Sequence, residues 1–261
     1  MSTLLKSGSD SHSDHHSSSS NRDFGGFVST ATLQVRAIGY DVDQALTGRT
    51  LENISVFRSG SRDAKYVSIR LKKNSNSCGL VRVSDQAALM STIYRFGPGK
   101  QPQMRILNLH YKVSIEDAIK NENVRGESIE VKSHLLISRA QVFDTSLGKF
   151  EWRYGTNEQA ACNAHNLLVM ERIDRVSFPG GGQSKSGARV AQLICNDQYR
   201  TPGTKKYSGR NGGRLFIDLC MCNEDKNTSP QRVEAFVVAS CILMLKRGAD
   251  RFIDNHLALV V

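Results

Sequence analysis

The run Ala235-Phe236-Val237-Val238-Ala239-Ser240-Cys241-Ile242-Leu243-Met244-Leu245 contains no charged residue, and Lys246-Arg247 follow it at once. Its flanks frame a helix. Ser229 suits the N-cap, and Pro230 suits the first helical position, where a missing N–H costs nothing. Lys246 and Arg247 suit the negative end of a helix, and Gly248 is a reasonable stop. The segment 230–247 makes a helix of about 18 residues, roughly 27 Å long at about 1.5 Å per residue.

Such a helix restricts the rest of the chain. Its apolar stretch is well short of the roughly 20 residues that span a bilayer. It has no polar face with which to lie on a membrane surface, and a helix apolar nearly all round must be enclosed. A closed sheet of about twelve strands leaves a lumen too wide for side chains alone, since about eight strands already give a nearly filled interior. A helix of about 10 Å diameter fits that space. The competing arrangement is a central strand in a β-sandwich, which the β-branched residues of the run permit.

The remainder of the chain supplies strands. "FVSTATLQVRAI" and "LENISVFRS" read as strands, and "AKYVSIRLKK" follows after the turn Gly60-Ser61-Arg62-Asp63. In the last of these Tyr66, Ser68 and Arg70 alternate with Val67, Ile69 and Leu71, the period of a half-buried strand. "CGLVRVS", "AALMSTIYRF", "QMRILNLHYKV", "IEVKSHLLIS", "HNLLVMERI", "ARVAQLIC" and "RLFIDLCM" extend the series, with "GPGKQP" a loop and "SIEDAIKNENV" a short helical turn or a loop. "QVFDTSLGKFEWRY" reads as a hairpin turning at Thr145-Ser146-Leu147-Gly148, and Phe150, Trp152 and Tyr154 share one face of its second strand. Ten or more short strands without alternating long helices exclude a doubly wound sheet. The expected fold is therefore mainly β, a closed antiparallel barrel around a buried hydrophobic C-terminal helix.

Residues 1–23 form a serine-rich leader too polar to order itself, 27–250 a single barrel domain, and 251–261 a C-terminal tail. The leader has no apolar core of the signal-peptide kind, so Asn53-Ile54-Ser55 and Asn227-Thr228-Ser229 read as chance glycosylation patterns. The six cysteines, Cys78, Cys162, Cys195, Cys220, Cys222 and Cys241, show no metal-site spacing. They read as free, mostly buried thiols in a reducing compartment, and the expected location is cytoplasmic, with peripheral attachment to a membrane as an option.

"LGKFEWRY", "ARVAQLI", "GGRLFIDL" and "VEAFVVASCILMLKRG" together resemble the C-terminal half of the fungal tubby-like proteins, relatives within the tubby, LURP-one and phospholipid scramblase superfamily. "ENISVFR" and "ALMSTIYRFGPGKQPQMRI" match the first half, so the resemblance covers residues 27–250. It implies a twelve-stranded barrel wrapped around a hydrophobic C-terminal helix. It also implies phosphoinositide binding by basic residues on the barrel, although the lysine–arginine pair that does this in tubby proteins has no placeable counterpart here. The palmitoylated cysteine cluster and calcium-binding segment of the scramblases are not visible. Fold therefore transfers better than function.

The residues themselves offer no catalytic constellation. "GGGQSKSG" lacks the order of a phosphate-binding loop, because its lysine precedes the final glycine. His12, His15 and His16 lie in the leader, and His110, His134, His165 and His256 are isolated. Neither a metal nor another cofactor is expected, and the chain reads as a non-enzyme. The formal charge of +10 favours anionic partners. "GTKKYSGRNGGR" concentrates that charge: Lys205, Lys206, Arg210 and Arg214 surround Tyr207, and the glycines allow close approach to an anion. The first expectation is a binding module for anionic phospholipid surfaces that uses these four residues. The second is a protein-interaction or regulatory scaffold with an exposed apolar patch. Nucleic-acid binding is a weaker third, not excluded, which would require a basic stripe with exposed aromatics.

Overall fold

A computed structural model describes residues 27–38, 53–72, 75–95, 101–108, 111–121, 123–133, 139–155, 164–173, 187–204, 211–220 and 229–257, with side chains described as far as residue 248 in the last segment. The leader, the loop 180–186 and Lys205, Lys206 and Arg210 lie outside the described residues.

The apolar runs form twelve strands: β1 Ala31–Arg36, β2 Ile54–Arg58, β3 Ala64–Arg70, β4 Cys78–Arg82, β5 Ala87–Ile93, β6 Gln103–Leu107, β7 Gly126–Lys132, β8 Gln141–Thr145, β9 Gly148–Tyr154, β10 Asn166–Arg172, β11 Ala188–Cys195 and β12 Gly213–Ile217. Each strand pairs antiparallel with its sequence neighbours, and β12 pairs with β1 to close the barrel. The turns follow local chemistry. Gly60, at φ +79°, takes a left-handed conformation between β2 and β3, and the tight turn between β8 and β9 falls at Ser146-Leu147 as its sequence predicts. A Cβ on Gly213 would sit 2.3 Å from the carbonyl oxygen of Ile194, so glycine is what lets β12 enter between β1 and β11. Bulges at Val56/Phe57, Leu80/Val81 and Met170/Glu171 bend the wall as closure requires.

After a short helix, α1 (Ile115–Lys120), between β6 and β7, the long helix α2, Pro230–Leu257, fills the lumen. Every side chain from Val233 to Lys246 is buried, so the helix is enclosed on all faces. Inward-facing residues of all twelve strands join it in one core, among them Leu33, Val56, Tyr66, Met104, Val131, Leu168, Leu193 and Leu215. The ring of Phe236 lies edge-on to Phe143 at 5.9 Å and tilted to Phe150 at 5.4 Å, which wedges the helix against β8 and β9. Burial of one such side chain contributes about 1.5–3 kcal/mol. The sandwich alternative is thus overturned: the apolar run is a helix, and the sheet closes around it.

Polar contacts fix the helix along its axis. At its start Arg82 donates to Gln231 Oε1 (3.0 Å), Arg232 pairs with Glu127 (2.6 Å), and Lys65 pairs with Glu234. At the other end Lys246 Nζ donates to the carbonyl of Asn76 (3.0 Å) and Arg247 to Gln101 (3.1 Å). In β3 the lumen-facing set is the less apolar one, Tyr66 and Ser68, because Tyr66 has a hydrogen-bond partner in Glu234.

Near the C-terminal end, boundaries differ from the sequence reading. Gly248 does not end α2, which continues to Leu257 through the segment read as a tail. Gly248 is itself buried, and no proline follows it, so the roughly 1 kcal/mol a glycine costs inside a helix is tolerated there. The strand "RLFIDLCM" ends at Ile217, which leaves Cys220 exposed beyond it. Of the two readings of "SIEDAIKNENV", helical turn or loop, the structure has the short helix α1 (Ile115–Lys120), whose N-cap Ser114 accepts the N–H of Asp117 at 3.0 Å. Its buried Ala118 packs with Ala88 and Leu107 on the outer wall.

Candidate functional site

The meander gives the barrel two chemically different ends. The turns β2–β3, β4–β5, β6–β7 and β8–β9 surround the start of α2. The connections β1–β2, β3–β4, β5–β6, β7–β8, β9–β10 and β11–β12 surround the end where Lys246 and Arg247 lie.

At the start of α2 the charges of the described residues balance. Arg62 neighbours Asp63, Arg82 holds Asp85 (2.5 Å), Lys120 pairs with Glu116, and Arg232 with Glu127. The hydrogen bond from Arg82 is the main reason the Asp85 carboxyl titrates at about 2.

The opposite end is different. Lys72, Arg95 and Arg139 are exposed there, with Arg200 and Arg247 half-buried among them. Arg95 donates to Gln103 (3.2 Å), Arg139 lies over the Tyr154 ring (5.8 Å), and Arg247 donates to Gln101 (3.1 Å). Among the described residues of these connections the one acidic side chain is Asp197, which contacts Arg200 (3.5 Å) and His165 (3.3 Å). Two exposed aliphatic side chains lie at the same end, Ile38 (52% exposed) just after β1 and Leu71 (40%) just after β3.

Of the four residues singled out in the sequence, Arg214 is described. It lies on the outer wall of β12 opposite Gln34, half-buried, with its guanidinium 4.1 Å from the Tyr199 ring centroid. Tyr199 belongs to a short segment that folds back over the wall, held by the bond from Gln34 to its carbonyl (2.7 Å) and by Thr201 Oγ1 on the Ala37 carbonyl (2.8 Å). Lys205, Lys206 and Arg210 lie between Thr204 and Asn211, two described residues that both belong to the basic end. Sequence reasoning passed over Lys72, Arg95 and Arg139 because they are dispersed along the chain. Only the meander, which returns every second connection to one end, gathers them. Ile38 and Leu71 each follow a strand whose last residue is an arginine, the one local signal that could have marked them.

A cavity of about 530 Å³ opens at the other end, where the start of α2 meets β5, β6 and β7. Its walls include Leu89, Met90, Ile106 and Ala235, and its rim Arg82, Glu127, Gln231 and Arg232.

Among the described residues there is no group of three or more His, Cys, Asp or Glu side chains able to hold a metal ion. No helix of the described residues is long and apolar enough to cross a membrane. The closed barrel with its internal helix is consistent with a non-catalytic binding or scaffold module, and at the level of fold with the tubby, LURP-one and scramblase superfamily. Comparison with protein-family models, with curated proteins and with solved structures finds no match.

Proposed function

We propose that this protein is a non-enzymatic, tubby-like module of the cytoplasm that binds anionic phospholipid surfaces peripherally, through the barrel end at which α2 finishes. The charge asymmetry between the two ends supports this reading most directly. Lys72, Arg95 and Arg139 stand at an end where Asp197 is the acidic side chain of the described connections, and Ile38 and Leu71 are exposed beside them. Cations near an anionic leaflet contribute about 1 kcal/mol each, and exposed aliphatic side chains add burial in the interface. Lys205, Lys206 and Arg210 add positive charge to the sequence of the β11–β12 connection and lie outside the described residues. Arg214 would act at its margin, stacked on Tyr199. Cys78, Cys220 and Cys241 are thiols outside any disulfide, which fits a reducing compartment.

The test is binding to liposomes, neutral against phosphoinositide-containing, across a salt series. The expected result is selective binding that weakens as salt rises. Lys72→Glu and Arg95→Glu should each weaken it by at least about fivefold, and Lys205→Glu with Lys206→Glu by a similar factor or more. Absence of binding at every composition would overturn the lipid reading and leave a protein-interaction scaffold as the function to pursue.

A further inference from the structure

Two connections at the basic end share a pattern. The pair Lys-Lys occurs twice in the chain, and each time a serine stands two residues further on: Lys72-Lys73-Asn74-Ser75 between β3 and β4, and Lys205-Lys206-Tyr207-Ser208 between β11 and β12. Lys73, Asn74 and the second pattern lie outside the described residues, whereas Lys72 and Ser75 are placed. Ser75 is half-buried and closes a turn, its N–H donating to the Lys72 carbonyl at 3.2 Å. Its hydroxyl oxygen accepts the N–H of Ser77 (3.2 Å), and among the described residues its own O–H has no acceptor. Nothing therefore holds the proton that a phosphoryl acceptor must give up. Both bonds lie within the connection, so the turn can extend into an enzyme cleft while Arg70 stays paired with Cys78 across β3 and β4. One residue on, the Asn76 carbonyl is held by Lys246 Nζ (3.0 Å), which keeps the connection beside the end of α2.

Protein kinases choose among serines by the charge pattern around the acceptor, and one class reads cations two and three residues before it. Lys73 and Lys72 occupy those positions before Ser75, and Lys72 is exposed. The cations that suit an anionic leaflet thus also suit the acidic cleft of such an enzyme. We infer that Ser75 is a phosphorylation site for a serine kinase selective for basic sequences, and that its modification releases this end of the barrel from anionic lipid. In the reaction the Ser75 Oγ attacks the γ-phosphorus of ATP and an Oγ–P bond forms. The bond from that phosphorus to the β–γ bridging oxygen breaks, ADP leaves, and the hydroxyl proton passes to the base of the kinase. The product carries a charge of about −1.5 to −2 at neutral pH. It appears at an end where Asp197 is the one acidic side chain among the described residues of the connections. There it offsets Lys72 and its neighbour and repels the leaflet. The release rests on the proposed membrane-facing surface, whereas the modification itself does not.

The experiment incubates the full chain with ATP and the catalytic subunit of the cyclic-AMP-dependent kinase, which reads paired cations at those two positions, and maps the product by peptide mass. Phosphate is expected on Ser75 and should be missing from that peptide in Ser75→Ala. Binding to phosphoinositide-containing liposomes is then compared in a Ser208→Ala background, so that the second pattern adds no phosphate. The phosphorylated protein should bind about tenfold or more weakly than the unmodified one and keep its melting temperature. Ser75→Asp, with a single charge, should weaken binding by about threefold. Ser59→Asp, exposed in the turn between β2 and β3 at the other end, should change it by less than about twofold. No phosphate on Ser75 would overturn the inference, and so would equal binding before and after modification, with the lipid surface left standing in both cases. Equal effects of Ser59→Asp and Ser75→Asp, or a loss of binding seen only with a lowered melting temperature, would also overturn it. Failure of the unmodified protein to bind any liposome is a separate result, which would overturn the surface reading and the release with it.

Discussion

The indole Nε1 of Trp152, in the barrel wall, donates to the hydroxyl of Ser240, in the central helix, at 2.8 Å, and both side chains are fully buried. Ser240 passes the interaction on by donating to the carbonyl of Val237 (3.1 Å). The bond joins the single tryptophan of the chain to the single hydroxyl of the apolar run. It sets the rotation and depth of α2 against β9 in a lumen otherwise filled by non-directional apolar contacts.

Ser240→Ala leaves the indole N–H buried without its acceptor, and the expected loss of stability is about 1–3 kcal/mol. Denaturant unfolding followed by the emission of Trp152 measures it directly, since no other tryptophan contributes. A double-mutant cycle with Trp152→Phe should return a coupling of at least about 0.5 kcal/mol. A Ser240→Ala protein as stable as the parent would show that the bond adds nothing to seating the helix.

Phe236→Ala should be costlier. The ring touches Phe143 and Phe150 inside the closed wall, where neighbours cannot collapse into the gap. The expected loss is about 3–5 kcal/mol, read from the shift in the denaturation midpoint. A loss under about 1 kcal/mol would mean that the barrel relaxes around the helix and does not grip it.

Burial, and then the neighbouring Glu234 carboxylate, push the Tyr66 phenol above its ordinary value of 10.0. The folded state therefore holds this proton more tightly than the unfolded chain. The stability this provides is complete below about pH 10 and declines as pH rises beyond that value, because the unfolded state ionises first. Tyr66→Phe should lessen the alkaline decline of stability relative to the parent protein. Identical slopes above about pH 10 in the two proteins would show that Tyr66 is not responsible.

The described cysteines should differ in reactivity. Cys220 is exposed, Cys78 and Cys195 are buried in the wall, and burial within α2 raises the Cys241 thiol well above its usual range. A brief pulse of a thiol reagent on the folded protein, mapped by peptide mass, should label Cys220 and spare Cys78, Cys195 and Cys241. Labelling of Cys241 at the rate of Cys220 would mean that the helix leaves the barrel on the timescale of the pulse.

The features legible in the sequence were those with a local physical signature. The alternation around Tyr66, the turn at Ser146-Leu147 and the apolar run at Ala235–Leu245 each correspond to an observed element. The end of α2 was less legible, because Gly248 resembles a stop until its buried setting is known. The basic run around Lys205 was visible because its charges are contiguous. Lys72, Arg95 and Arg139 were not, since they fall in three separate connections. The cavity was invisible as well, because it arises from the size difference between Ala235 and Phe236 on one helix facing two different strands.

By itself, the sequence determined that an apolar helix would have to be enclosed and that the only material able to enclose it was a set of short strands. Those are consequences of hydration and periodicity, which act on neighbours along the chain. Tertiary structure alone decided the pairing of β12 with β1, the register of α2 against Trp152, the gathering of positive charge at one end and the opening of a cavity at the other. Each of these depends on which distant residues closure of the barrel brings together, and sequence separation carries no record of that distance.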